Sequence, residues 1–262
     1  MNRPLDPARV AEVAGRTALC LDFDGTLAPI VDDPEAAAPL EGTVELLGRL
    51  AGRFAAVALV SGRPAGWLAE RAAAPGVRYL GLYGLEEVVD GRVHAAPEAE
   101  AVRPAARAAL AELGSHPAVT ASGAYLEDKG LSIGVHLRRV ADPPRWAGPV
   151  EAAAREAAAR HGLRVEPGRL VWELRPGSGL DKGDAVRRVV DESGAGAVVM
   201  AGDDRGDLAG FEAVEELAAL GLSGLRVAVR SGESPAELLQ RADLVVDGPE
   251  GLRELLDRWA AP

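Results

Sequence analysis

The chain has 262 residues and a formal net charge of -11. That length allows one large domain or a core with a smaller insertion. The charge excludes a nucleic-acid backbone as partner, because such binding needs Lys and Arg to neutralise phosphates. Cys20 is the single cysteine, so no intramolecular disulfide can form and a reducing compartment is expected. No apolar run approaches the ~20 residues of a membrane helix, and residues 1–6 carry no signal-like apolar stretch. A soluble cytoplasmic protein is expected.

The first predicted strand is the apolar run 18–21, which ends in Asp22-Phe23-Asp24-Gly25-Thr26. Two carboxylates this close repel, which raises the proton affinity of one of them unless a cation intervenes. One could attack phosphorus while its neighbour handles protons. A hard cation such as Mg2+ resolves the repulsion and neutralises phosphate oxygens. A polar turn closing a strand is the alternative, and Asp-x-Asp alone favours it. Asp-x-Asp-Gly-Thr directly after an apolar strand favours chemistry.

Val44, Leu47 and Leu50 follow at helical spacing. A second apolar run, 55–60, ends in Ser61-Gly62-Arg63-Pro64. A hydroxyl with exposed backbone N–H groups can hold a phosphate oxygen, although a simple turn needs the same residues. A further helix leads to a strand expected over 79–83. Continuous apolar strands alternating with amphipathic helices indicate a parallel sheet covered on both faces.

The middle of the chain differs. Leu131, Ile133, Val135 and Leu137 alternate with Ser132, Gly134, His136 and Arg138. Tyr125, Glu127 and Lys129 likewise share a face, because strand side chains repeat every two residues. The Ala-rich stretch 149–160 is a predicted helix. A half-open antiparallel sheet with helices is expected, and periodicity alone places its polar face toward solvent.

After 174 the first rhythm returns. Lys182 stands in Ser178-Gly179-Leu180-Asp181-Lys182-Gly183-Asp184, ahead of a helical pattern. A lysine at a helix start opposes the macrodipole, which favours an anionic partner; a solvated lysine is the equal alternative. The strand 197–200 runs into Gly202-Asp203-Asp204, with Asp207 close behind. Helix capping explains one acidic residue there but not three, and metal binding explains them better. A helix with Phe211, Val214 and Leu217, a strand over 225–229, a helix from Pro235, a strand over 244–246 and a helix ending near Trp259 complete the chain. Ligands of such sheets bind beyond the strand carboxyl ends, so Asp22, Asp24, Ser61, Asp203 and Asp204 should meet in one crevice.

Asp22-Phe23-Asp24-Gly25-Thr26, Ser61, Lys182 and Gly202-Asp203-Asp204 resemble, in order, the four motifs of haloacid dehalogenase superfamily phosphatases. Within them the chain resembles trehalose-6-phosphate phosphatases. The stretch Asp-Phe-Asp-Gly-Thr-Leu-Ala-Pro-Ile with Pro34-Glu35 is similar to the family's opening segment. Gly81-Leu82-Tyr83-Gly84-Leu85-Glu86 is similar to its Gly-Leu-His-Gly-x-Glu. Glu127-Asp128-Lys129-Gly130 and His136-Leu137-Arg138 are similar to its Glu-x-Lys-Gly and His-Tyr-Arg segments, and Glu173-Leu174-Arg175-Pro176 ahead of Lys182-Gly183 also fits.

The resemblance implies a Rossmann-like core over 1–100 and 176–262, and an α/β cap over 101–175. It implies Asp22 as nucleophile, Asp24 as general acid and base, and Lys182 as their electrostatic partner. Thr26, Ser61, Gly62 and Lys182 would hold the phosphoryl group. Mg2+ would be bound by Asp22, the Asp24 carbonyl and Asp203, with Asp204 and Asp207 beside them. Glu127, Lys129, His136 and Arg138, with Tyr83 and Glu86, would bind the sugar, which turns the polar face of the cap into a lid surface. Three departures stand out: Gly206 and Leu208 replace the threonine and glutamate of the family's Gly-Asp-Asp-x-Thr-Asp-Glu, Tyr83 replaces a histidine, and Asp181 precedes the lysine. The expected activity is hydrolysis of trehalose 6-phosphate by a monomer, with a phosphorylated disaccharide as partner and neither nucleic acid nor membrane. The rivals are a phosphatase or phosphomutase for another sugar or cyclitol phosphate, and a non-catalytic sugar-phosphate sensor.

Overall fold

The computed structural model describes residues 4–168, 170–177, 180–232 and 234–261. It divides into two compact units, Met1–His94 with Leu180–Pro262, and Ala95–Gly179.

The chain enters the larger unit through β1 (Thr17–Leu21), α1 (Thr43–Ala51), β2 (Ala56–Val60), α2 (Ala65–Arg71), β3 (Val77–Gly81), β4 (Glu86–Val89) and β5 (Arg92–Ala95). The smaller unit contains α3 (Pro97–Glu100), α4 (Arg103–Ser115), α5 (Pro117–Ser122), β6 (Tyr125–Asp128), β7 (Ile133–His136), α6 (Pro143–His161), β8 (Leu163–Gly168) and β9 (Val171–Pro176). The chain then returns through α7 (Lys182–Ser193), β10 (Ala197–Gly202), α8 (Leu208–Ala219), β11 (Ser223–Arg230), α9 (Ala236–Arg241), β12 (Leu244–Asp247) and α10 (Gly248–Ala260).

The large sheet has the order β12-β11-β10-β1-β2-β3-β4-β5. It is parallel from β12 to β3, and β4 turns antiparallel against β3. All five residues of β1 are buried, as a strand covered on both faces requires. Leu19 and Leu21 pack with Leu46, Leu47 and Leu50 of α1 and with Leu252, Leu255, Leu256 and Trp259 of α10. Ala18 and Cys20 face the opposite way, toward Val186 and Val189 of α7 and Phe211 and Val214 of α8. Each large apolar side chain buried in this way contributes roughly 1.5–3 kcal/mol. Burial pushes the Cys20 thiol up to about 12, so Cys20 is a packing residue without thiolate chemistry.

Successive connections leave β1 in opposite directions, toward β2 and β3 on one side and β10 to β12 on the other. Such a switch leaves a crevice beyond the strand carboxyl ends. The segments starting at Asp22, Ser61 and Asp203 all follow strands that flank it.

The smaller unit is a four-stranded antiparallel sheet, β6-β7-β9-β8. Ile133, Val135 and Leu137 bury against Ala109 and Leu113 of α4 and Val150, Ala153, Ala154 and Ala157 of α6. Three details differ from expectation. The helix α6 begins at Pro143, where Asp142 accepts from the Arg145 N–H at 3.2 Å. Pro149 therefore lies inside the helix and does not open it. The alternation around β7 ends at His136: the Leu137 N–H donates to the Leu170 carbonyl at 2.8 Å, and Arg138 falls in the turn beyond. The third strand spans 77–81 and not 79–83, because Leu82 and Tyr83 take positive φ values of 49° and 62°. Among the described residues no helix is long and apolar enough to cross a membrane.

Candidate active site

The loop after β1 carries Asp22 and Asp24 and turns at Gly25, whose φ is +78°. A methyl group on Gly25 would overlap the Asp203 carboxyl. The left-handed backbone costs a non-glycine residue about 1–2 kcal/mol, and the overlap must displace Asp203 as well. A Gly25→Ala variant is expected to lose at least about 1–2 kcal/mol of stability; denaturant unfolding measures it, and a variant as stable as the parent would refute the close approach.

Lys182, the first residue of α7, extends into the same place. Its Nζ donates to Asp22 Oδ1 at 2.6 Å and to Asp207 Oδ1 at 2.7 Å. All three side chains are buried. Asp181, the departure before the lysine, caps α7: its Oδ1 accepts from the Gly183 and Asp184 N–H groups. The acidic residue thus fixes the helix start that presents Lys182. Ser178 and Gly179, which open that segment, lie outside the described residues.

Asp203 and Asp207 follow β10. Asp207 Oδ2 accepts from the Asp203 and Asp204 N–H groups at 2.9 and 3.0 Å, so this side chain shapes the loop that carries the other two. Asp204 is exposed, and its Oδ1 accepts from the Gly206 N–H at 2.8 Å. One carboxylate oxygen each from Asp22, Asp203 and Asp207 lie within 4.8 Å of one another, all buried. Thr26 is fully buried, and its hydroxyl donates to Asp203 Oδ1 at 3.2 Å. Of the four carboxylates expected around a metal, then, three converge, and Asp204 lies outside that group.

The electrostatics follow from this crowding. Burial pushes Asp22 up to about 6 against the opposing pull of Lys182, with Asp204 and Asp24 adding to the rise. Burial, then Asp22 and Asp207, push Asp203 up to about 10. Burial acts on Lys182 in the lowering direction, but Asp207 and Asp22 outweigh it and hold the lysine well above its ordinary value. Burial raises Asp207 too, against Lys182. Its three N–H donors favour the carboxylate form. Three buried carboxylates facing one ammonium form a donor set that fits a hard divalent cation.

Beside the cluster, Ser61 closes β2 with a buried hydroxyl that accepts from the Arg63 N–H at 3.2 Å. The ring of Tyr83 lies over Gly62, and a methyl group at Gly62 would meet the Tyr83 hydroxyl at 2.7 Å. The Tyr83 N–H donates to the Ser61 carbonyl at 2.9 Å and the Leu82 N–H to the Arg63 carbonyl at 2.8 Å. These bonds hold the left-handed backbone at 82–83, the kind of local strain that clusters at functional sites. Glu86 is buried, and its Oε2 accepts from the Ala65 N–H at the start of α2 at 3.2 Å.

In the smaller unit, Glu127, Lys129 and His136 form one polar cluster. His136 Nε2 lies 2.9 Å from Glu127 Oε2. Lys129 Nζ lies 3.7 Å from Glu127 and 3.2 Å from Glu173 Oε1, and the Ser132 hydroxyl donates to that same oxygen at 3.0 Å. Glu173 was not singled out as a site residue. Its register opposite Gly134 on β9 brings it in, and sequence spacing carries no sign of that pairing.

A protein-family model described as trehalose-phosphatase matches residues 20–243. The trehalose-phosphate phosphatase of Mycobacterium avium is 37% identical over 255 residues, covering 95% of this chain and 63% of the relative. The chain thus spans just under two thirds of that relative's length. Among solved structures, a trehalose-6-phosphate phosphatase related protein superposes with a TM-score of 0.74 at 24% identity, covering 92% of this chain and 95% of that one. The C-terminal domain of the C. albicans trehalose-6-phosphate phosphatase gives 0.74 at 20% identity, over 99% and 98% of the two chains. At those identities the likeness is one of fold, and the fold is that of the haloacid dehalogenase group, a parallel core with a separate antiparallel α/β unit. With the matched stretch enclosing Asp22, Lys182, Asp203 and Asp207, the chain belongs to the trehalose-phosphatase family.

Proposed function

We propose that the protein hydrolyses trehalose 6-phosphate to trehalose and phosphate. The observation that carries this is the family match across a stretch containing the whole buried Asp–Lys cluster. Asp22 attacks phosphorus through a carboxylate oxygen, and the bond from phosphorus to the sugar oxygen breaks. Asp24 gives a proton to that departing oxygen. Water then attacks the aspartyl-phosphate, loses its proton to Asp24, and frees phosphate and the Asp22 carboxylate. Lys182 offsets the charge that builds between Asp22 and the phosphoryl oxygens, and Ser61, Thr26 and the Gly62 backbone hold those oxygens. Catalysis of this kind is mostly positioning and electrostatic stabilisation. Asp22, Asp203 and Asp207 would hold Mg2+, together with the Asp24 carbonyl and the nearby Asp204; when bound, Mg2+ supplies positive charge that neutralises phosphoryl oxygens.

Glu127, Lys129, His136 and Arg138 of the smaller unit, acting as a cap, bind the sugar hydroxyls, as do Tyr83 and Glu86 of the core. Glu173 joins them through Lys129. We place the protein in the cytoplasm without a nucleic-acid partner, which the acidic charge and single cysteine support, and propose that it acts as a monomer away from membranes.

Phosphate release from trehalose 6-phosphate, sucrose 6-phosphate and glucose 6-phosphate, with and without Mg2+, tests the proposal. Trehalose 6-phosphate is expected to turn over at least about tenfold faster than the others, because a site built to hydrogen-bond sugar hydroxyls rejects mismatched ones. A preference for another ester moves the assignment to a different sugar phosphate. Binding without magnesium-dependent turnover makes the chain a sensor, and isomerisation of a sugar phosphate with a bisphosphate activator but no net phosphate release makes it a mutase.

A further inference from the structure

The loop after β2 holds a second ionic contact, separate from the buried cluster. Arg63 Nε and Nη2 donate to Asp24 Oδ2 and Oδ1, each at 2.8 Å. The arginine side chain is 9% exposed and the aspartate 36%. The guanidinium also lies 4.4 Å from the ring centroid of Trp67 on α2. That ring meets Phe23 edge-on, at 5.4 Å and 88°, and its Nε1 donates to Glu35 Oε2 at 3.1 Å. Trp67 therefore packs on the residue between the two loop aspartates and on the arginine that grips the second of them.

We propose that Arg63 is a positioning residue for Asp24, fixing the plane of the carboxyl group that exchanges protons with the sugar oxygen and with water. The proposal rests on the role given to Asp24 above. Two parallel N–H···O bonds from a planar fork define both the distance and the plane of a carboxylate, which a lysine ammonium cannot do. Ring stacking and burial hold the fork itself. The pair opens to solvent on the Asp24 side, where ion pairs add little stability. Its geometry is what matters: proton transfer needs the carboxyl within hydrogen-bond reach of the reacting oxygen.

The test compares two esters by kcat/KM, which reports phosphorylation of Asp22 and not the later hydrolysis. A sugar alkoxide needs a proton to leave, whereas nitrophenolate does not. Arg63→Met is expected to lower kcat/KM for trehalose 6-phosphate roughly 10²-fold, and for p-nitrophenyl phosphate less than about fivefold. Arg63→Lys should recover only a minor part of the loss, since it restores charge without the fork. In an Asp24→Asn background, Arg63→Met should cost nothing further, as expected of a residue that acts only through its partner. Equal losses on both esters, or a loss that repeats in the Asp24→Asn background, overturns the proposal while leaving the phosphatase assignment standing. No phosphate release from either ester by the unmodified chain overturns both.

Discussion

Asp22→Asn is expected to abolish phosphate release, a loss on the order of 10⁴-fold or more, the scale seen when a covalent nucleophile is removed. The amide keeps the shape of the side chain and an oxygen to accept from Lys182, so the fold should persist. The stability change has a predictable sign. Burial pushes the Asp22 carboxyl up to about 6, above its ordinary value. A folded state that binds the proton more tightly than the unfolded chain loses stability as pH rises from that ordinary value through about 6. Without a divalent cation, the asparagine variant should therefore unfold at a higher temperature than the parent above pH 6, and at a similar temperature near pH 4. Phosphate release together with thermal unfolding across that range measures both effects. Parent-like turnover would remove Asp22 from the chemistry, and an unchanged unfolding profile would contradict its buried, proton-retaining environment.

Lys182→Met is the second large effect. The lysine is the cation bonded to both Asp22 and Asp207, and its removal leaves two buried carboxylates without their shared counter-charge. Breaking a buried pair from one side costs about 3–5 kcal/mol. Turnover should fall by roughly 10³-fold, the loss typical of removing a group that stabilises developing charge. Added Mg2+ should restore much of the stability, by offsetting the same carboxylates, but little of the activity. Lys182→Arg is not a rescue, because the larger guanidinium must fit the buried space of an ammonium whose contacts are 2.6 and 2.7 Å. Denaturant unfolding with and without Mg2+ separates the two effects. A methionine variant as stable as the parent would show that the cluster tolerates its own charge.

The parallel sheet was legible because buried strands such as 18–21 and 197–200 are continuous apolar runs, a pattern few other structures produce. The same holds for the acidic residues at their ends, since strand polarity and chain reversal bring those ends together. The turn at 82–83 was not legible. Leucine and tyrosine disfavour positive φ, and bonds to the Ser61 and Arg63 carbonyls, about 20 residues upstream, help to hold them there. Asp207 reads from sequence as one more metal carboxylate, yet in the structure it also accepts two loop N–H groups and Lys182. Arg63 passed as an ordinary turn residue because its partners, Asp24 and Trp67, lie on other segments. In the smaller unit, periodicity alone placed Glu127, Lys129 and His136 toward solvent and only the family resemblance pointed to them, whereas Glu173 enters through strand register that spacing does not encode.

The split construction of the core also sets an order of assembly. The Thr26 hydroxyl and the Asp203 carboxyl that it touches are 177 residues apart, and β1 has β10 as one of its two sheet neighbours. On the ribosome, β1 to β3 can pair early, but β1 keeps one open edge until the last third of the chain emerges. Contacts of such long separation form late, after most of the ordering entropy has already been spent. A nascent chain released before β10 would expose an apolar strand edge, the kind of surface that chaperones hold and aggregates recruit. The carboxylate cluster thus needs segments from both ends of the chain, and it cannot be complete before β10 and the residues after it are present.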